Sequence, residues 1–347
     1  MIIIQWRSKR IKVFAQTNDF NLFMIEKLDR LVKSYTPTFW LPFSFMRGVY
    51  QGDRKIPDMS FYARQEFEMS DGEILAIDYF PVNYEAMPED TPIVMFIPGV
   101  FGMSSDLYSA KFCKMFKDYL GWRTCIFNRR GYGGMPIKGN RVVGFTSYDD
   151  IHCVVNTMAA NFPKANIYLV GVSMGAANIQ NYLSHYADEH IVKAAVTISC
   201  PWNAHIVTRK VAKNPLLRKG IHGYQLRLFK QQLEYESFNK LLETHKISKD
   251  DVLKTKSNVE FDEICATAGL GLEKLEEYYD HLSCHEKISR VSVPVLSMNT
   301  GDDILIPVSV IPFEELASNP HIIHLQVTGG GHTEYFHGCS ASYVWSI

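Results

Sequence analysis

Six short apolar runs, separated by amphipathic segments, limit the folds open to this 347-residue chain. The runs span residues 92–97, 123–128, 166–170, 193–199, 293–299 and 321–328. Several are apolar at consecutive positions, as in strands that helices cover on both faces. Strands and helices that alternate in this way predict an α/β protein with a mostly parallel sheet and helices on both of its faces.

The segments beside these runs carry helix and hairpin patterns. From Ile151, apolar residues recur at i, i+3, i+4, i+7 and i+11, which predicts an amphipathic helix between the second and third runs. Earlier in the chain, residues 61–81 match two strands joined by a turn at Asp71 and Gly72. We expect this hairpin to form an antiparallel edge of the same sheet.

A long helical stretch interrupts the alternation of strands and helices. It follows the sixth predicted strand when the two strands of the hairpin are counted. From Asn203 to Ser289 strand patterns are almost absent, and they resume at Val291. An insertion of this kind predicts a helical cap over the carboxyl ends of the strands, where ligands bind in open α/β sheets. The predicted division is an N-terminal extension at 1–60, a core at 61–202 and 290–347, and a cap at 203–289.

The stretch Gly171-Val172-Ser173-Met174-Gly175 follows one predicted strand and opens a helical pattern. Glycines let the backbone turn sharply there, and a strand–turn–helix junction of this kind can expose a nucleophilic serine. We therefore predict that Ser173 is a nucleophile. The pattern by itself leaves a second interpretation open, a glycine-rich turn with an inert serine.

Two later loops supply the groups that a serine nucleophile needs. A hydroxyl attacks only when a base takes its proton, and an anion must orient that base. Asp302 and Asp303 follow the run at 293–299, and His332 follows the last run behind three glycines. The order Ser, Asp, His at strand ends predicts a catalytic triad with Ser173 as the nucleophile and His332 as the base.

Such a triad also needs two backbone N–H groups aimed at the negative charge that develops on the substrate. Met174 lies directly after Ser173, where a helix N-terminus leaves its N–H without an intrahelical acceptor. The second donor is expected from the loop PGVFG at 98–102, with Val100 as the donating residue. Because a Pro-Gly turn after a strand is common, an ordinary turn stays an alternative for this loop.

Charge and composition exclude several other classes of protein. The net charge is −1, so no overall charge attracts the chain to nucleic acid. The seven cysteines show no CxxC or Cys/His spacing of a metal site, and we predict neither a metal nor a cofactor. Reduced thiols favour a cytoplasmic protein.

The N-terminal residues 1–14 contain only three consecutive isoleucines before charged residues begin. A membrane span needs about 20 apolar residues and a signal peptide about 7 to 15, so neither is predicted. We expect a solvated terminus. Its basic character leaves a targeting or membrane-surface role as the alternative.

The motifs together resemble the α/β-hydrolase fold and, within it, the ABHD esterase/lipase branch, which includes bacterial YheT-like hydrolases and medium-chain phospholipases. The resemblance extends over most of the chain. It depends on YTPTFW with Gln51 downstream, PGVFG, NRRGYGG, GVSMG followed by NYL, FDEICATAGLGLEKLEEYY, GDDILIP and GGGH.

This resemblance implies a serine hydrolase acting on short- to medium-chain acyl esters, monoacylglycerols or phospholipids. It assigns the nucleophile to Ser173, the acid to Asp303 and the base to His332. Many eukaryotic relatives carry an N-terminal membrane anchor, and none is expected here. Relatives usually add a terminal helix that covers the sheet, whereas this sequence stops 15 residues after His332. A truncated terminal helix is one interpretation of this difference.

The glycines of NRRGYGG invite a rival interpretation as a phosphate-binding loop. Gly131, Gly133 and Gly134 do not match GxGxxG, and no Lys-Ser/Thr pair follows as in a P-loop. We interpret the segment as a structural loop beside the site, with Arg129 and Arg130 in packing contacts or ion pairs.

Two alternatives to hydrolysis stay open. One is a noncatalytic protein of the same fold that binds a ligand or partner, because a fold does not imply a function. The other is an acyltransferase that uses the same triad. Catalysis is favoured over ligand binding alone because all three members of the triad are present, whereas acyl transfer to an alcohol in place of water stays open.

The segment 205–230, which opens the predicted cap, holds seven Lys or Arg and no Asp or Glu. Apolar residues lie between these charges, a composition found in segments that contact anionic membranes. Peripheral contact with an anionic membrane is one interpretation of this segment. A solvated outer face that packs its apolar side on the core is the other.

Overall fold

The computed structural model describes residues 2–5, 11–32, 36–41, 43, 58–142, 148–189, 191–333 and 335–339. Gln51 and residues 342–347, which entered the sequence analysis, lie outside these ranges. The strands of the described part are β1 (Ile2–Gln5), β2 (Ile11–Ala15), β3 (Ala63–Glu68), β4 (Ile74–Phe80), β5 (Ile93–Ile97), β6 (Arg123–Phe127), β7 (Ile167–Val172), β8 (Val192–Ile198), β9 (Val295–Thr300) and β10 (Ile322–Val327). Its α-helices are α1 (Asp19–Val32), α2 (Leu107–Leu120), α3 (Tyr148–Asn161), α4 (Met174–His185), α5 (Ala204–Lys213), α6 (Pro215–Gln232), α7 (Glu236–Thr244), α8 (Lys249–Lys254), α9 (Asn258–Leu270), α10 (Leu275–Leu282) and α11 (Phe313–Ser318).

These strands form one sheet in the order β1-β2-β10-β9-β8-β7-β5-β6-β4-β3. The strands from β10 to β6 in this order run parallel, and β4 and β3 add an antiparallel edge. The mostly parallel sheet and the hairpin at its edge are therefore confirmed, with Gly72 at φ +81° in the hairpin turn. Because parallel strands end on the same side, the loops after β5, β7, β9 and β10 gather at one edge of the sheet.

The N-terminal segment departs from the expectation of a solvated terminus. Strand β2 pairs antiparallel with β10, and β1 pairs with β2. Ile11 and Val13 are each only 1% exposed. The prediction of a solvated terminus is therefore wrong for β2. Because β1 and β2 precede the hairpin, the helical insertion follows the eighth strand in chain order and not the sixth.

Helices cover both faces of the sheet, as predicted. On one face α3 and α4 pack in an apolar cluster that includes the residues of the predicted amphipathic helix, Ile151, Val154, Val155 and Met158. On the other face α1 and α2 contribute Ile25 and Phe112 to a second cluster. The sheet is therefore the middle of three layers.

The six helices α5 to α10 lie between β8 and β9 and have an apolar cluster of their own, which includes Phe229, Phe238 and Phe261. Val100 and Met174, which follow β5 and β7, pack against this cluster. The helical insertion, called the cap below, thus forms a wall beside the ends of these strands. Within the described ranges, no helix is both long enough and apolar enough to cross a bilayer.

Candidate active site

Ser173 occupies a sharp turn between β7 and α4. Its φ of +54° lies in the left-handed region that residues with a Cβ rarely adopt. A Cβ added to Gly175 would lie 2.0 Å from the Ile97 carbonyl oxygen, and one added to Gly171 would lie 2.6 Å from the Gly175 carbonyl oxygen. Close backbone packing therefore requires both glycines. The turn places Ser173 directly after the carboxyl end of β7.

The structure brings Ser173, His332 and Asp303 together. Ser173 Oγ lies 2.7 Å from His332 Nε2, and His332 Nδ1 lies 2.7 Å from Asp303 Oδ2. The three residues follow β7, β10 and β9, whose carboxyl ends lie on the same side of the sheet. The cluster expected from the order of the residues is thus formed in space.

The surroundings of Asp303 favour its ionised form. Burial alone would raise the pKa of Asp303, but the His332 charge and hydrogen bonds to Asp303 hold that pKa below its usual value. Asp303 Oδ1 accepts the N–H groups of Leu305 at 2.7 Å and Ile306 at 3.0 Å. An ionised Asp303 accepts the Nδ1–H of His332, which leaves Nε2 free to accept the proton of Ser173.

Asp302 has a different position from Asp303. Its Oδ1 accepts the N–H of Gly329 at 3.2 Å, which joins the loop after β9 to the loop after β10. The carboxylate that faces His332 is therefore that of Asp303, the residue that the family resemblance assigned as the acid.

Two hydroxyl groups that the sequence analysis missed hold the loop before and at His332. Thr300 Oγ1 donates to the Gly331 carbonyl at 2.8 Å, and Ser199 Oγ donates to the His332 carbonyl. Ser199 also has a left-handed φ of +54°. Both residues lie at the carboxyl ends of strands next to the site. Their position at these strand ends is the feature of the sequence from which a role near the site could have been predicted.

The oxyanion loop, residues 98–102, lies directly beside Ser173. A Cβ added to Gly99 would lie 3.4 Å from Ser173 Cβ, and one added to Gly102 would overlap the hydroxyl of Tyr108 at 1.9 Å. Met174 is the first residue of α4, where the backbone N–H has no acceptor within the helix. The predicted N–H donors, Val100 and Met174, thus belong to the two backbone segments next to Ser173.

The segment NRRGYGG is a structural loop beside the site. Arg130 forms an ion pair with Asp150 at 2.7 Å and with Asp71 at 2.6 Å. Arg129 donates instead to backbone carbonyls of the oxyanion loop. The sequence analysis expected packing or ion pairs for both arginines but did not predict this contact of Arg129.

The cap contacts the oxyanion loop through an aromatic pair. The ring of Phe101 stacks on that of Tyr224 in α6, with ring centroids 4.3 Å apart. A cleft between α6 and the loop 131–135 continues from this contact and is lined in part by Met103, Tyr132 and Leu228. Polar and charged side chains line this cleft as well, among them Arg227 and Glu234.

Comparisons with known proteins identify the family of this fold. The model of the alpha/beta hydrolase fold family matches residues 92–338. The chain is 26% identical to the phospholipase ABHD3 of Mus musculus over 334 residues, which are 95% of this chain and 80% of the mouse protein. It is 24% identical to a monoacylglycerol lipase of Saccharomyces cerevisiae over 270 residues, 74% of this chain and 58% of the yeast protein.

A solved structure shows the same fold. Est1E from Butyrivibrio proteoclasticus with bound ferulic acid superposes with a TM-score of 0.50 at 15% identity, covering 77% of this chain and 90% of that chain. At this level of identity the likeness concerns the fold alone.

Proposed function

The chain belongs to the alpha/beta hydrolase fold family and is a serine ester hydrolase, and from that premise we propose that it cleaves short- to medium-chain acyl esters through an acyl-enzyme on Ser173. The observation that carries this proposal is the continuous hydrogen-bonded chain from Ser173 Oγ through His332 to Asp303, each step 2.7 Å long. A serine hydroxyl linked to a base in this way is activated for attack on a carbonyl carbon.

In the proposed reaction, Ser173 Oγ attacks the ester carbonyl while His332 Nε2 takes the hydroxyl proton. Asp303 stabilises the imidazolium that results, and the N–H groups of Val100 and Met174 donate to the carbonyl oxygen as it becomes negative. The tetrahedral intermediate then expels the alcohol, which receives the proton from His332. His332 then takes a proton from a water molecule as that water attacks the acyl carbon. The second tetrahedral intermediate releases the carboxylic acid as the bond to Ser173 Oγ breaks and His332 returns the proton to Oγ.

Lipid esters are the substrate class that we propose. The names of the relatives, a phospholipase and a monoacylglycerol lipase, point to acyl esters of glycerol. The cap supports this class because its apolar cluster reaches Val100 and Met174 beside Ser173. An acyl chain bound there leaves water and gains about 0.8 kcal/mol per buried CH₂ group.

Turnover of a substrate panel tests this proposal. We expect p-nitrophenyl esters, monoacylglycerols and phosphatidylcholines with short to medium acyl chains to be hydrolysed, with kcat/KM falling for long chains. Addition of an alcohol separates hydrolysis from acyl transfer, because a transferase would release an ester in place of the free acid. Ligand binding without any turnover would favour the noncatalytic alternative.

We also propose that the corner between α5 and α6 contacts anionic lipid. Lys213, Arg218 and Lys219 are exposed at this corner, and Leu216 beside them is 58% exposed. Other apolar residues of the segment pack inward, Phe229 among them at 4% exposure. The corner therefore combines positive charge with one protruding apolar side chain, as membrane-surface segments do.

Removing these charges is expected to weaken binding to liposomes. Each Lys or Arg near an anionic surface contributes about 1 kcal/mol, so the triple variant Lys213→Gln/Arg218→Gln/Lys219→Gln is expected to bind on the order of 100-fold more weakly. Sedimentation with anionic liposomes measures this loss, which high salt should reproduce because screening acts over about 8 Å at physiological ionic strength.

A matched control removes three positive charges from α2, as Lys111→Gln/Lys114→Gln/Lys117→Gln, and is expected to bind like the unchanged protein. If both triple variants sediment like the unchanged protein, or if neutral liposomes bind as well as anionic ones, the corner is an ordinary solvated surface.

A further inference from the structure

We propose that Arg129 is a positioning residue of the oxyanion loop, whose guanidinium fixes the loop so that the Val100 N–H faces the carbonyl oxygen of the ester. The inference rests on the hydrolytic function proposed above. It adds to the triad and the two N–H donors a residue that acts through the loop and does not touch the substrate.

The contacts of Arg129 are concentrated on the oxyanion loop. The side chain is only 2% exposed. Its Nη1 donates to the Pro98 carbonyl at 3.0 Å, and its Nη2 donates to the Gly99 carbonyl at 2.5 Å and to the Val100 carbonyl at 2.6 Å. One guanidinium thus binds the carbonyls of three consecutive residues, which fixes the orientation of the peptide groups between them.

Tyr132 reinforces this arrangement. Its hydroxyl donates to the Val100 carbonyl at 2.8 Å, and its ring centroid lies 4.8 Å from Arg129 Cζ. The Val100 carbonyl therefore accepts two hydrogen bonds, which uses both of its lone pairs. The two side chains act on the same peptide group.

The planar geometry of the peptide group determines where the N–H groups of the oxyanion loop point when their carbonyls face Arg129. In a trans peptide, the carbonyl and the following N–H point in opposite directions within one plane. Because the Gly99 carbonyl faces Arg129, the Val100 N–H points away from Arg129. Gly99 also lies next to the nucleophile, since a Cβ added to it would lie 3.9 Å from Ser173 Oγ.

The charge of Arg129 is matched by carbonyl dipoles and an aromatic ring. Arg130, the next residue, pairs with Asp150 and Asp71, whereas no carboxylate of the described residues forms an ion pair with Arg129. A buried cation without a counter-ion is costly. The charge of Arg129 polarises the loop peptides and so favours the negative charge that develops on the substrate oxygen facing the Val100 N–H.

The test is the variant Arg129→Lys, whose single ammonium group cannot bridge three carbonyls as the planar guanidinium does. We expect kcat to fall about 10- to 100-fold, somewhat less than for complete loss of an oxyanion donor, while KM changes less than about twofold. A trifluoromethyl ketone analogue, whose adduct with Ser173 carries an oxyanion, should lose affinity by the same factor as kcat.

The milder variant Tyr132→Phe removes one hydrogen bond to the Val100 carbonyl and keeps the ring. It is expected to lower kcat and ketone affinity together by about 2- to 10-fold. This variant keeps the inference testable if Arg129→Lys does not fold.

Arg123→Lys is the matched control. Arg123 is 1% exposed and also donates to backbone carbonyls, those of Tyr84, Met87, Pro88 and Thr91, but it lies at the start of β6, away from Ser173. This control should lower the melting temperature and leave kcat and ketone affinity unchanged.

The outcomes separate the inference from the proposed function. If Arg129→Lys and Tyr132→Phe lower only the melting temperature, as Arg123→Lys does, or lower kcat without loss of ketone affinity, the inference is wrong. If the unchanged enzyme neither hydrolyses the ester panel nor binds the ketone, the proposed function itself is wrong.

Discussion

Replacing Ser173 by alanine is expected to abolish ester hydrolysis, with kcat lowered roughly 10⁶-fold, as when the nucleophile of a protease triad is removed. The variant loses the oxygen that attacks the carbonyl and that binds His332 Nε2 at 2.7 Å. The fold should persist because alanine meets the same backbone strain at φ +54° as serine does. A fluorophosphonate probe and a p-nitrophenyl ester assay measure the two losses.

Ser184→Ala is the control for this substitution. Ser184 lies in α4, the helix that follows Ser173, and is 1% exposed. Its hydroxyl donates to the Gln180 carbonyl at 2.7 Å, so the substitution removes a buried hydroxyl outside the site. We expect full labelling and near-normal turnover for this variant. Labelling of Ser173→Ala at the level of the unchanged protein would show that another residue is the nucleophile.

The second large effect is expected for Asp303→Asn, with kcat lowered by about 10⁴. An asparagine that keeps its oxygen on the N–H groups of Leu305 and Ile306 presents its NH₂ group to His332 Nδ1, which then becomes an acceptor. The proton moves to Nε2, and His332 can no longer take the proton of Ser173. Steady-state kcat on a soluble ester measures this loss.

Asp302→Asn is the matched comparison because it changes the neighbouring carboxylate in the same loop. Its amide oxygen can still accept the N–H of Gly329, the bond that Asp302 Oδ1 makes at 3.2 Å, so kcat should stay within a few-fold of normal. A larger loss for Asp302→Asn than for Asp303→Asn would contradict the assignment of the acid.

The sequence predicted those features that depend on local patterns. Apolar runs located the parallel strands, and the order of Ser173, Asp303 and His332 at strand ends identified three side chains that meet in space. This was possible because parallel strands bring their carboxyl ends to one edge of the sheet. The parallel topology of the sheet therefore brings residues that are distant in the sequence to the same site.

Contacts that depend on the path of a loop or on distant pairing could not be predicted. Strand β2 pairs with β10 across about three hundred residues, and the segment IKVFA is too short to be told from a solvated segment. The contact of Arg129 with three carbonyls depends on the bend of the oxyanion loop. The sequence NRRGYGG does not show which of its two arginines makes that contact. Propensity carries no information on either contact.

The hairpin of β1 and β2 has a consequence for association between molecules. Strand β10 is largely buried, with Ile322 and Val327 at 0% exposure, and it leads into the loop that carries His332. Without β2, the hydrogen-bonding groups of β10 would form an open edge, a site at which strands of other chains can add. The hairpin moves the edge outward to β1, so the strand that precedes His332 lies inside the sheet and presents no free edge to another chain.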